Sequence, residues 1–118
     1  MGKKKSTRIH YSEREEGPRF AAVVKAFAKT TGVSREERKG FGSGALKVNG
    51  KIFAMMSSKG KFVVKLPRAR VDQLVIDGRG ERFDPGGGRV MKEWLEVHDA
   101  KTDWVALARE AFAFVAKG

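Results

Sequence analysis

The chain has 118 residues, of which 41% are hydrophobic and 33% charged, which is enough for one domain with a modest core. It contains no cysteine, which excludes disulfides, thiolate metal sites and cysteine nucleophiles. Its formal net charge of +11 favours a polyanionic partner: nucleic acid, an anionic membrane face or an acidic protein. A soluble protein whose surface is simply rich in lysine is the alternative. No apolar run approaches the roughly 20 residues of a membrane-spanning helix, so we expect a soluble, cytoplasmic protein without membrane partners.

The N-terminal part of the chain is predicted to be a tail followed by a helix. Residues 1–16 are polar and basic and are expected to be disordered, whereas residues 17–118 are expected to form a single domain. Helical spacing predicts a first helix from Phe20 to Thr30, stopped by Gly32. Its apolar stripe consists of Phe20, Val23, Val24, Phe27 and Ala28. The charged stretch Ser34–Lys39 that follows is predicted to be a solvated loop.

Three strands are predicted next, as an antiparallel meander. The first is Ala45–Val48, and Asn49-Gly50 is a strong hairpin signal because both residues tolerate positive φ. The second strand, Lys51–Ser57, is apolar on both faces and is therefore placed centrally. The third, Lys61–Leu66, alternates: Phe62, Val64 and Leu66 lie on one face, Lys61 and Lys65 on the other.

The last part of the chain is predicted to be helix, two strands and helix. Pro67 opens a helix over Arg68–Asp77 that Gly78 ends, and short extended Glu81–Phe83 follows. A strand over Val90–Val97 places Met91, Leu95 and Val97 on one side and Trp94 on the other. Thr102 or Asp103 is expected to cap the last helix. The inner face of that helix comprises Trp104, Leu107, Ala108, Ala111 and Val115, widened by Phe112 and Phe114.

No motif in the chain matches a catalytic or cofactor site. The Gly86–Gly88 run lacks the Lys-Ser/Thr and the following helix of a phosphate-binding loop, so a flexible turn is favoured over an anion site flanked by Arg89 and Lys92. His10 and His98 have no clustered third ligand for a metal. The carboxylates are scattered near Lys and Arg, which favours surface ion pairing over acid–base catalysis. We therefore expect no catalytic residue, cofactor or metal.

Two hydrophobic features have both a packing and a binding interpretation. Met55 and Met56 are typical of core gap-fillers but also suit a ligand cleft. Trp94 stands apart from the apolar side of its strand, where packing is favoured over exposure on a binding face.

Basic residues from adjacent elements form the candidate binding surface. They are compatible with contacts that follow a phosphate backbone, although no recognition helix or RNA-binding motif accompanies them. The candidate nucleic-acid-binding residues are Lys61, Lys65, Arg68, Arg70, Arg89 and Lys92, with Arg79 and Arg82 nearby in the sequence.

The stretches G-F-G-S-G-A-L-K-V-N-G-K-I-F-A-M-M, K-F-V-V-K-L-P and F-D-P-G-G-G-R-V-M-K-E-W-L-E-V resemble the N-terminal domain of the TfoX/Sxy proteins and the related YjbR/MmcQ-type small domains. The resemblance covers about residues 18 to 116. It implies a two-layer α+β fold of helix, three antiparallel strands, helix, two strands and helix. It brings no catalytic residues. TfoX-type proteins are linked to regulation of competence for DNA uptake, and they carry a second helical domain that is not found within these 118 residues.

Three functional hypotheses follow. The first is a non-enzymatic, regulatory domain that makes protein contacts, including homodimerisation, through the sheet face that helices leave open. The second is nucleic-acid binding by phosphate contacts from the basic surface and from the lysines of the N-terminal tail. The third is a small-ligand binder or enzyme that uses the Gly86–Gly88 loop.

Overall fold

The structure, a computed structural model, describes residues 17–37 and 44–118. The predicted tail, the end of the predicted Ser34–Lys39 loop and residues 40–43 lie outside the described residues. The elements are α1 (17–26), β1 (Val33–Arg35), β2 (Leu46–Val48), β3 (Lys51–Met56), β4 (Phe62–Lys65), α2 (Arg68–Ile76), β5 (Gly80–Phe83), β6 (Met91–Val97) and α3 (Trp104–Lys117).

The described residues form an α+β domain with three helices and a six-stranded antiparallel sheet, which confirms the predicted class. The strand order is β1-β2-β3-β4-β6-β5. The order departs from the chain order because β6, and not β5, lies beside β4. After β4 the chain passes through α2 and forms β5 at the edge of the sheet, and β6 then returns between β4 and β5. The central placement of β3 is also confirmed.

The two faces of the sheet have different cores. All three helices contribute to the larger cluster, with Phe20 from α1, Leu74 from α2 and Leu107 from α3 packing on strand residues such as Phe53 and Phe62. No described helix contributes to the smaller cluster on the opposite face. That cluster contains buried Ala45, Met55, Val63 and Phe83, against which Ile52, Met91 and Trp94 pack. Four apolar residues of this open face are therefore buried, and Ile52, Met91 and Trp94 are partly buried.

The prediction of five strands was wrong by one, because Val33–Arg35 is a strand and not a loop. It pairs antiparallel with β2, and the pairing continues where the Glu36 N–H donates to the Ala45 carbonyl at 2.8 Å. Ser34 and Arg35 are exposed, so this edge strand lacks the apolar alternation from which a strand is predicted. Its backbone hydrogen bonds to a neighbour hold it extended.

The first helix ends earlier than predicted. Regular helix stops at residue 26, and tighter bonds follow, from the Phe27 N–H to the Val24 carbonyl and from the Ala28 N–H to the Lys25 carbonyl. This tightening leaves Ala28 exposed, outside the stripe in which it was predicted.

Several local predictions are confirmed. Asn49 and Gly50 have φ of 54° and 80°, as the two-residue β2–β3 hairpin requires. Asp103, not Thr102, caps α3, because its side chain accepts from the Ala106 N–H at 3.1 Å. Thr102 is buried and donates to Asp99 instead.

Register shifts decide which way some strand residues face. Leu46 pairs with Ala54 but Lys47 pairs with Ile52, so Phe53 is an extra residue, and both Phe53 and Ala54 enter the helix-side core. A second shift lies between Arg82 and Phe83.

The second shift corrects the predicted faces of β6. Leu95 and Val97 enter the helix-side core as predicted, but Met91 packs with Trp94 on the open face. The reason is a gap in the pairing: Arg82 pairs with Leu95, but the next residue of β5, Phe83, pairs with Met91. The extra residues of β6 between Met91 and Leu95 interrupt the alternation of faces along this strand.

Candidate functional site

The centre of the site is a cross-strand pair, Lys65 and Trp94. Lys65 is the last residue of β4, and its Cα partner in β6 is Trp94, so both side chains lie on the open face. Pairing continues one residue further, where the Leu66 N–H donates to the Glu93 carbonyl at 2.9 Å. The register of two central strands therefore fixes an ammonium group beside an indole.

A third side chain arrives from the helix that follows β4. Pro67 is the N-cap of α2, and Arg68 is its first residue, so Arg68 is only three residues from Lys65. Pro67 offers no side-chain cap, and the first turn of α2 contains no acidic residue. The partial positive charge of this helix end thus adds to the charge of Arg68.

These elements enclose an open groove with a volume of about 480 Å³. We call it the basic groove, and its lining residues are Lys65, Arg68, Val90, Met91, Lys92, Glu93 and Trp94. The volume lies within the roughly 300–1,000 Å³ typical of small-molecule sites.

The basic groove carries three cations and one carboxylate. The Lys65 Nζ atom lies 3.9 Å from Glu93 Oε1 and 5.5 Å from the centroid of the Trp94 ring, which is a cation–π distance. Lys92 and Glu93 are exposed, and so is Arg68. The Lys65–Glu93 pair is long and solvent-accessible, so it holds Lys65 weakly.

A smaller cavity of about 310 Å³ adjoins the basic groove. Lys65 and Trp94 line both, so this pair forms the wall between them. The remaining lining residues are Lys51 and Ile52 at the start of β3 and Phe114, Val115 and Gly118 at the end of α3.

The structure gathers three of the six predicted cations, Lys65, Arg68 and Lys92, in the basic groove. Lys61 precedes β4, at the opposite end of that strand from Lys65, and does not line it. Arg89 is exposed in the loop just before Val90 and is not a lining residue either.

Arg70 has a different role from its neighbour Arg68. Its Nε and Nη2 atoms donate to the two carboxylate oxygens of Glu110 at 2.8 and 3.0 Å, and Nη1 donates to Gln73 at 3.1 Å. The hydrogen bond with Glu110 raises the pKa of Arg70, against a smaller lowering by burial. Arg70 therefore ties α2 to α3 instead of facing the groove.

Two further carboxylates and His98 form local pairs. Asp72 accepts from Arg82, and His98 Nε2 lies 2.6 Å from Glu96 Oε2. In residues 17–37 and 44–118, no three His, Asp or Glu side chains converge as a metal site would require. Over the same ranges, no helix has the length and apolarity needed to cross a membrane.

The Gly86–Gly88 loop has a conformational explanation. The three glycines have φ of 135°, 72° and 75°, values that favour glycine, and the Gly86 N–H donates to Asp84 Oδ1 at 2.7 Å. All three residues are exposed. These angles account for the glycine run without a ligand.

The two methionines and Trp94 were predicted to pack, and they do. Met55 is 1% exposed in the open-face cluster, and Met56 packs against the helix-side core, so neither lines the two cavities described above. Trp94 packs in the open-face cluster and also lines the basic groove and the adjoining cavity. Packing and exposure on a binding face were predicted as alternatives for Trp94, whereas this half-buried ring packs in the cluster and also lines the groove. This dual role depends on the pairing of β4 with β6, which brings Trp94 to Lys65, and no signal in the sequence indicated that pairing.

No family model matches the chain, and neither the curated proteins nor the solved structures contain a match to it.

Proposed function

We propose that this chain is a non-enzymatic, TfoX-N-like domain that binds nucleic acid through phosphate contacts in the basic groove. The observation that carries the proposal is the convergence of Lys65, Arg68 and Lys92 around the half-buried Trp94. Phosphate contacts by lysine and arginine supply most of the affinity of sequence-independent binding.

The charge of the surroundings supports the same proposal. The groove has one carboxylate, Glu93, against three cations, and the chain as a whole carries +11. The uncapped N-terminus of α2 adds partial positive charge at Arg68. A diffuse positive field of this kind attracts a polyanion and increases its rate of association.

The protein-contact hypothesis is less well supported. It needs an apolar patch on the open sheet face, yet Met55 and Val63 on that face are 1% and 0% exposed. Among the described residues, the large hydrophobic side chains that are exposed are Ile76 and Val90, and single exposed apolar residues are normal on any protein surface.

The test is the salt dependence of binding to a labelled oligonucleotide, measured by fluorescence anisotropy between about 50 and 200 mM salt. We expect affinity to fall steeply with salt. The triple variant K65Q/R68Q/K92Q should bind more weakly, with a slope of log affinity against log salt that is shallower by about 2 to 3, since each lost phosphate contact removes about 0.7 to 0.9.

The matched control is K25Q/K29Q/R109Q, which removes two exposed lysines and one exposed arginine outside the groove. It lowers the net charge by the same amount as the groove triple, but it leaves the groove cations in place. It should therefore keep most of the affinity and nearly all of the slope of log affinity against log salt. Equal losses in the two triples would show that charge alone, and not the groove, drives binding. Absence of any binding at the lowest salt would reject the proposal.

A further inference from the structure

We infer that the basic groove selects single-stranded over double-stranded nucleic acid, with one unpaired base stacked on Trp94. The inference rests on the proposed function and specifies its substrate class. Its starting point is that an indole, and not only cations, lines the groove.

The position of Trp94 suits stacking. The ring packs against the open-face cluster and lines both the basic groove and the adjoining cavity, so it is held in place while part of it stays accessible. A ring already fixed by packing loses little conformational entropy when a base stacks on it. Stacking accepts any base, because every base has a π-face.

The cations lie around the ring on which the base would stack. The Lys65 Nζ atom lies over the ring, 5.5 Å from its centroid, and its ion pair with Glu93 is weak, so a stacking base takes its place and Lys65 turns to the phosphate. Lys92 is two residues before Trp94 on β6, and Arg68 lines the same groove. An aromatic platform beside a basic track is the arrangement that single-strand-binding proteins use.

A duplex would leave the ring unused. Its base faces are stacked inside the helix, so a duplex offers phosphates and base edges only. Reading those edges takes an element that enters a groove, commonly a helix. The helix at this site, α2, contributes only Arg68 to the lining, while Arg70 is bound to Glu110 and the face with Val71 and Leu74 is buried in the core.

The experiment follows the fluorescence of Trp94 in a W104F chain, in which it is the sole tryptophan. Trp104 stacks on Phe62 with centroids 4.3 Å apart, and its indole Nε1 is buried without a hydrogen-bond partner among the described residues, so a phenylalanine ring keeps the stack and removes an unsatisfied donor. The probes are oligodeoxythymidylate, which does not self-pair, and its duplex with oligodeoxyadenylate.

We expect the single strand to quench Trp94 fluorescence and to bind more tightly than the duplex. In the otherwise unmodified chain, W94L should weaken single-strand binding by about 5- to 150-fold, the range measured for loss of one base–aromatic stack. W94F keeps a π-face and should retain most of the affinity. Thermal melts of both variants check folding, and if W94L does not fold, the quenching measurement decides alone.

The outcomes separate this inference from the proposed function. Duplex binding as tight as single-strand binding, an unaltered affinity in folded W94L, or unchanged Trp94 fluorescence overturns the inference. If the groove triple variant still reduces binding in that case, the proposed function stands. If neither probe binds at low salt, both are rejected.

Discussion

At the scale of single residues, the partner of a side chain decides its role, and Arg68 and Arg70 show how. Residues two apart on a helix do not face the same way. Arg68 therefore lines the basic groove, while Arg70 turns to α3 and donates to both carboxylate oxygens of Glu110. The sequence makes them look equivalent, and only the neighbouring elements distinguish them.

Asp99 supports a prediction about acid stability. The Lys101 N–H, above all, lowers the pKa of Asp99 from its ordinary 3.8, with help from the Thr102 hydroxyl and the charge of Arg79. A lowered pKa in the folded state stabilises the protein above the unfolded-state pKa, and this stabilisation is lost as pH falls through the folded-state value. We expect D99N to be less stable than the unmodified chain at pH 7, with the difference vanishing below pH 3.8.

Urea denaturation at a series of pH values measures this difference. The control is E37Q, which removes an exposed carboxylate from another part of the surface. A D99N deficit that stays constant from neutral to acidic pH would mean that the carboxylate charge is not what stabilises the turn before α3.

At the scale of elements, close backbone contacts position the strands that carry the site. Gly80 pairs with Val97, and a Cβ on Gly80 would stand 2.1 Å from the Glu96 carbonyl oxygen. Only a residue without a side chain lets β5 approach β6 this closely. Since β6 also carries Trp94, this contact belongs to the framework that supports the basic groove.

G80A is therefore expected to destabilise the fold by about 1–3 kcal/mol, the usual cost of overpacking. The clash is with backbone, which cannot rotate away as a side chain can. Chemical denaturation provides the measurement, with E81A, an exposed change on the same strand, as the control. Equal stabilities of G80A and E81A would contradict the proposed close approach.

At the scale of the whole molecule, the net charge acts on folding and on binding in opposite directions. A charge of +11 on 118 residues repels itself in the compact state. Solvent-accessible ion pairs such as Lys65–Glu93 contribute little to stability, whereas the Lys47–Glu36 pair includes a buried carboxylate. Screening of the repulsion should thus outweigh the weakening of these pairs.

We expect the Tm to rise when sodium chloride is increased from about 50 to 200 mM, the range over which nucleic-acid affinity should fall. The K25Q/K29Q/R109Q triple has less self-repulsion, so its Tm should depend less on salt. Differential scanning calorimetry measures both. A Tm that falls with salt would show that the ion pairs, and not the net charge, dominate the electrostatics of the fold.

The sequence by itself determined those features that short-range chemistry controls. Apolar period gave the class and the inner face of α3, the Asn49-Gly50 pair gave the β2–β3 hairpin, and alternation put Lys65 on the face opposite Phe62 and Val64. For the site, composition indicated a basic surface, and three of the six predicted cations line the basic groove. These signals are local, so they can be detected before any element is placed.

Only the tertiary structure decided what depends on partners distant in sequence. β1 has no apolar alternation and exists because β2 offers it backbone hydrogen bonds, and a register shift between β5 and β6 moved Met91 to the side of Trp94. The groove arises because β6 inserts beside β4 and brings Trp94 to Lys65. Hydrogen bonds between strands carry no side-chain signature, which is why a linear pattern supplied the cations of the site but not their arrangement.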